Sequence, residues 1–206
     1  MHRKSKKFLI IYKLAEKKYK TSNKRLAGDA WQEHWQTLLT TILSAQTRDE
    51  VTIPIAENLF KKYPSLEKLS NAKEADIFQI IKSINYNKTK AKHLLASSQY
   101  LLKYHQEMIP DTVEELTKIP GVGLKTANLI LAQCHKKDAI CVDTHVHRIM
   151  NIFKIVNTKN PQETESALKK IAPIKYWSKI NRYFVLLGKE VPGYSPSNFI
   201  KKLKEK

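Results

Sequence analysis

Two residues of this chain have the types, spacing and surroundings for covalent chemistry, Lys125 and Asp143. Lys125 follows a Pro120-Gly121-Val122-Gly123 turn and stands at the head of the apolar run Leu124 to Leu131. A Gly-x-Gly turn ahead of a helix exposes unpaired backbone amides and the positive end of the helix dipole, which suits a phosphate. A protonated Lys in that place opposes the dipole, and neighbouring positive charge adds to the penalty; both favour the neutral amine, the form that attacks carbon. The same Lys can serve instead as a plain phosphate contact. Eighteen residues on, Asp143 precedes Val146, Ile149, Met150 and Phe153, where the N-cap of a second helix belongs. A carboxylate facing the amine can orient it and stabilise a cationic sugar, or it can be a cap and nothing more. His145 can polarise a carbonyl or bind phosphate, and Arg148 can pair with an acid or a phosphate. An amine, a carboxylate and a phosphate-gripping turn in a chain of net charge +18 point to chemistry on DNA.

The elements that must position these residues are helical. Glycine is scarce, with 5 in 206 residues, and helix formers are abundant. Residues 1–24 carry nine Lys/Arg against Glu16, with Phe8, Ile11, Tyr12, Ala15 and Tyr19 at helical spacing, which predicts an amphipathic helix with a basic outer face. Further stripes predict a helix from Trp35 to Leu43, one around 50–61 that stops at Tyr63-Pro64, two near 65–70 and 74–83, and a longer one marked by Ala91, Leu94, Ser98 and Leu101. Asn85-Tyr86-Asn87-Lys88 reads as a turn. Thr112 with Glu115 reads as a capping box, so residues 112–135 form a helix, a tight turn and a helix. Asn160-Pro161 starts another helix, and Ile180, Phe184 and Leu187 stripe the last clear one. Beyond Val191 the tail shows no strong periodicity.

Composition excludes other classes. No stretch reaches the roughly 18 apolar residues that a membrane-spanning helix needs, and the N-terminus lacks a signal-peptide core, so an intracellular, DNA-associated protein is the expectation. Cys134 and Cys141 are too few for a disulfide scaffold, and a pair with six residues between them does not make a metal site; they read as core thiols.

Three segments together, Leu39 to Asp49 (LTTILSAQTRD), Ile119 to Leu131 (IPGVGLKTANLIL) and Val142 to Arg148 (VDTHVHR), make the chain closely resemble endonuclease III of the helix-hairpin-helix DNA glycosylases, over about residues 31–190. The resemblance implies an all-α fold of two helical domains flanking a DNA-binding cleft. One is a six-helix domain over 27–137 with the hairpin at about 112–135; the other is discontinuous, joining 1–26 to 138–206. It implies a monomer that removes damaged, oxidised pyrimidines from duplex DNA and then nicks at the abasic site. Lys125 matches the Schiff-base nucleophile and Asp143 the catalytic carboxylate. Gln46 matches the residue that fills the gap left by the flipped nucleotide. Gly121, Val122, Gly123 and Thr126 match the DNA-binding hairpin, and Tyr86, His145 and Arg148 join them as DNA contacts.

The chain departs from that family in two places. Most relatives close the second domain with four cysteines around a [4Fe–4S] cluster, whereas Gly188 to Asn198 contains none. The expectation is therefore no cluster and no required cofactor, with the tail held by packing through Tyr194 and Phe199, and a monovalent cation under the hairpin carbonyls compatible with the residues. The usual apolar wedge after the 74–83 helix is also missing; Tyr86 or Asn87 stands there. The residues leave open a non-catalytic DNA-binding module and glycosylases for mismatched thymine or uracil, purine lesions or photodimers.

Overall fold

The structure, a computed structural model, describes residues 3–205. They form twelve α-helices and no strand: α1 (Arg3–Tyr19), α2 (His34–Ser44), α3 (Asp49–Lys62), α4 (Leu66–Ser70), α5 (Glu74–Ile80), α6 (Asn87–His105), α7 (Val113–Leu116), α8 (Leu124–Gln133), α9 (Thr144–Ile152), α10 (Pro161–Ile171), α11 (Trp177–Glu190) and α12 (Pro196–Lys204). The helices fall into two compact units, Arg25–His135 and Met1–Lys24 with Lys136–Lys206. These boundaries fall two residues before those expected from the sequence, and residues 1, 2 and 206 lie outside the described residues.

The unit of residues 25–135 is built on α2, which is buried over most of its length, and on α6, which buries one stripe. In α2 every residue from Thr37 to Leu43 is buried, as is Trp35. Its threonines bury along with Trp35, Leu38, Leu39, Ile42 and Leu43 because α2 packs against three helices, α3, α6 and α8. Its start is a reciprocal capping box between Glu33 and Gln36, which the sequence reading did not pick out. In α6 the buried stripe is Lys90, Ala91, Leu94, Ser97, Ser98 and Leu101, set against α2, α4 and α5. Thr112 caps α7 by accepting from the Glu115 amide at 3.2 Å, and the Pro-Gly turn delivers the chain into α8.

In the other unit the five apolar residues expected to stripe α1 are its buried ones. They pack on α11, where the Tyr12 ring lies 5.7 Å from Tyr183 and 6.4 Å from Phe184 between centroids. Helix α11 also supports α9, whose far side carries α10. The tail is not irregular as its sequence suggested: residues 196–204 form α12, anchored by Phe199 and Leu203 one turn apart and both buried. Phe199 packs 6.1 Å from Phe153. Tyr194, expected to help hold the tail, is instead 76% exposed. Two apolar anchors among lysines made too faint a stripe to read, although Ser195-Pro196 is a helix-start signal.

Candidate active site

The hairpin turn is shaped from beneath by α6. Gly121 takes φ +80°, a left-handed value that favours glycine, and a Cβ there would lie 2.9 Å from Cγ and Nδ1 of His93. One turn further along α6, the Ser97 hydroxyl donates to the Pro120 carbonyl at 2.6 Å. The Val122 amide donates to Ile119 O at 3.1 Å and the Val122 side chain is buried. Val122, expected among the DNA contacts, is therefore a packing residue whose side chain points inward and whose amide hydrogen closes the turn. Gly123 is the N-cap of α8 and supplies no side chain to its first-turn amides; a Cβ there would meet nothing within 4 Å. Lys125 is the second residue of α8 and is exposed, with Thr126 half-buried beside it. The end of α8 is thus an uncapped, positive helix terminus with an amine on its first turn.

The same unit carries Gln46 and Tyr86 on two further turns. Both are exposed, and both hold a left-handed backbone, φ 55° and 58°, a conformation that disfavours a residue with a Cβ by about 1–2 kcal/mol. Hydrogen bonds fix them there. Asn85 donates from its side chain to Gln46 O at 2.5 Å and from its backbone to Thr47 Oγ1 at 3.2 Å. Asn87 donates to Lys82 O at 2.6 Å. A strained residue held by its surroundings and pointing to solvent is a mark of a working surface.

In the other unit Asp143 is the N-cap of α9, as the spacing predicted, and its Oδ1 accepts from the Val146 amide at 2.9 Å. One carboxylate oxygen is committed to the helix, which fixes the direction of the second. His145 packs over the backbone of α11; a Cβ on Gly188 would fall 2.5 Å from its Nδ1. Arg148, expected to contact phosphate or an acid, turns inward: it donates to Gly188 O at 2.7 Å and Val191 O at 3.1 Å, with its guanidinium 5.6 Å from the Phe199 ring. His147 joins a network in which its Nδ1 lies 2.7 Å from Thr164 Oγ1 and the Thr164 and Thr158 hydroxyls are 2.5 Å apart. Beside α9 lies a cavity of about 720 Å³ lined by Thr144, His145, His147, Arg148, Asn151 and Tyr194 among others.

The residues present do not fit an iron–sulfur cluster. The chain has two cysteines, both buried, one in each unit. Burial pushes the Cys134 thiol up to about 11, which disfavours the thiolate a metal needs. Among the described residues no group of three or more His, Cys, Asp or Glu could hold a metal ion. Where such a cluster would close the tail, Arg148 and Phe199 do so here.

Sequence reading missed Lys90 and Asn85. Lys90 is 5% exposed, and its ammonium donates to Leu43 O at 2.7 Å, Ala45 O at 2.6 Å and Thr47 Oγ1 at 3.2 Å. The available signal was a lysine on the stripe that Ala91, Leu94 and Leu101 define.

Residues 39–173 match the family model of the HhH-GPD superfamily of base excision DNA repair proteins, and the chain belongs to that superfamily. Among curated proteins it is 41% identical to endonuclease III of Thermotoga maritima over 76% of this chain and 74% of that one. It is 35% identical to an endonuclease III homolog of Schizosaccharomyces pombe and 36% to endonuclease III-like protein 1 of Gallus gallus, about half of whose lengths it spans (47% and 57%). Within the superfamily it is a member of the endonuclease III family, and by family a base excision repair glycosylase. Its fold matches two solved structures of endonuclease III with DNA, one a trapped covalent intermediate (TM-score 0.86, 24% identity, 99% of this chain and all of that one) and one a non-covalent complex (TM-score 0.84, 24% identity, all of both chains). Among the described residues no helix is long and apolar enough to cross a membrane.

Proposed function

We propose that the protein is a bifunctional DNA glycosylase and abasic-site lyase acting on oxidised pyrimidines in duplex DNA. The observation that carries this reading is the exposed Lys125 on the first turn of α8, directly behind an uncapped Pro-Gly-Val-Gly turn. A damaged base within a duplex cannot be reached at its sugar, so the nucleotide is extruded. Gln46 enters the vacated stack, with Tyr86 against the other strand, offsetting part of the lost stacking. The hairpin amides grip a phosphate without reading sequence.

The lone pair of the Lys125 amine attacks C1′ as the glycosidic bond breaks and the base leaves with the bonding electron pair. Asp143 stabilises the positive charge that develops on the sugar, as carboxylates do in glycoside hydrolysis. One proton of the alkylated amine passes to O4′ as the C1′–O4′ bond breaks, which opens the sugar ring and leaves a protonated imine between Lys125 and C1′. That imine withdraws electrons, so loss of the C2′ proton expels the 3′ phosphate by β-elimination, and water then releases the enzyme. The net charge of +18 suits the polyanionic substrate, and the neighbour solved as a trapped covalent intermediate with DNA suits the imine. The protein acts as a monomer inside the cell.

The test is borohydride reduction during incubation with a thymine-glycol duplex. A covalent adduct forms with the wild type and not with Lys125→Gln. A wild-type protein that binds the duplex in a salt-sensitive way but yields neither adduct nor nick is a non-catalytic clamp, and the proposal fails. A panel of thymine-glycol, uracil-mismatch, purine-lesion and photodimer duplexes assigns the substrate.

A further inference from the structure

We infer that Lys90 is a positioning residue that acts through Gln46: its buried ammonium serves as a built-in cation that holds the 43–47 turn in the conformation presenting Gln46. The inference rests on the role proposed for Gln46.

A helix leaves its last carbonyls without partners and carries partial negative charge there. Helix α2 ends at Ser44, and Ala45 departs from helical geometry with ψ 118°, leaving the carbonyls of Leu43 and Ala45 directed away from the helix ladder. Lys90 reaches them from α6. Its three N–H donors meet two carbonyls and the Thr47 hydroxyl, so the whole donor set of the ammonium is satisfied. Its partners bracket Gln46 in the chain, and Asn85 takes the Gln46 carbonyl itself. A peptide pinned on both sides and at its own carbonyl has one way to close, and Gln46 closes it at φ 55°.

A lysine is an unfavourable choice for this place unless the charge is used. A buried cation loses hydration, and here no carboxylate offsets the loss. The charged and titratable groups on the elements packed around α6 are His34 on α2, Glu67 and Lys68 on α4, and Glu74 and Asp76 on α5, with Lys88, Lys92, His93, Lys103 and His105 on α6 itself. Burial is the one cause of the downward shift of Lys90, to about 8, and none of these groups opposes it. A methionine or leucine would fill the stripe without that penalty but would take away the ammonium that the carbonyls of Leu43 and Ala45 accept from. What the ammonium adds is a strong, charge-assisted hold on one turn, and that turn carries an exposed side chain rather than core.

The experiment combines amide hydrogen exchange with single-turnover excision for the wild type, Lys90→Met, Gln46→Ala and the double variant, each checked for folding by circular dichroism. Exchange in segment 43–48 should quicken in Lys90→Met while α8 and α9 keep their protection. Excision should fall about ten- to a hundredfold, the scale on which a 1 Å misplacement is felt, and the loss should vanish in the Gln46→Ala background. Unaltered exchange in 43–48, or losses that multiply in the double variant, overturns the inference. If Lys90→Met does not fold, Lys90→Gln takes its place, since it removes the charge while keeping a polar chain at the site, and the same exchange and double-variant outcomes decide. A Gln46→Ala protein as fast as wild type refutes the gap-filling role proposed for Gln46, and the exchange comparison still decides for or against the tether.

Discussion

The side-chain amide of Asn85 donates to the backbone carbonyl of Gln46 at 2.5 Å and its backbone amide donates to Thr47 Oγ1 at 3.2 Å, so the turn bearing Gln46 and the turn bearing Tyr86 are joined through Asn85. Each holds a left-handed residue, and Tyr86 is 65% exposed. A large aromatic ring directed at solvent from a strained, hydrogen-bonded turn is placed to stack on a base. Stacking of this kind is worth about 1–3 kcal/mol per base. Tyr86→Ala should therefore weaken binding to a duplex with an abasic analogue by about tenfold or more, while Tyr86→Phe retains affinity. Equal affinity for Tyr86→Ala and wild type in a fluorescence anisotropy titration would sink the idea.

Substitution can separate the N-cap of Asp143 from the catalytic role proposed for it. Its Oδ1 caps α9, and an asparagine can accept the same bond. Asp143→Asn should keep the wild-type melting temperature yet slow base excision by about 10²-fold or more, the range for losing a positioned charged group. Asp143→Ala should lose the excision rate and about 1 kcal/mol of stability as well. Thermal melts beside single-turnover rates distinguish the cases; equal rates for Asp143→Asn and wild type would reduce Asp143 to a cap.

The residues of the candidate site divided by how local their signals are. Gly121, Lys125 and Asp143 were legible because a turn, a helix start and an N-cap are written in neighbouring residues. The stripe of α1 was legible because period and burial coincide. Lys90 was not, because its partners at 43–47 are distant in sequence and a lysine ordinarily reads as surface. The internal bonds of Arg148 were not legible for the same reason: their acceptors, Gly188 and Val191, come from the far end of the chain. Helix α12 was illegible because its burial depends on Phe199 meeting Phe153, a contact no local pattern announces.

Arg148 should prove to be a structural staple. It donates to the last carbonyls of α11 and to the chain just beyond it, and lies across Phe199 of α12. Hydrogen bonds from a charged group are worth about 1.5–3 kcal/mol each when a partner is removed. Arg148→Met should lower stability by about 2–4 kcal/mol on that scale and expose the segment after Glu190 to trypsin, with cleavage at Lys201 and Lys202 appearing first. A variant that melts with wild type and resists trypsin, but binds DNA less well, would return Arg148 to the phosphate-contacting role.

Lys90 yields a prediction in which two readouts move in opposite directions with pH. Burial sets its value in the folded protein at about 8, below the ordinary lysine value of 10.5. Between those values the unfolded chain holds a proton that the folded chain has released, so stability rises with pH across that window and is flat below it. Measured by urea denaturation as wild type minus Lys90→Met, the stability difference should grow by about 1–3 kcal/mol from pH 8 to pH 10. The tether on the Gln46 turn should weaken over the same range, because a neutral amine has one donor fewer and no charge to set against the carbonyls of Leu43 and Ala45. The excision advantage of wild type over Lys90→Met should accordingly shrink as pH rises through 8. A stability difference that stays level from pH 7 to pH 10 would mean that Lys90 does not titrate in that window, and a constant excision ratio would mean that its charge plays no part in holding Gln46.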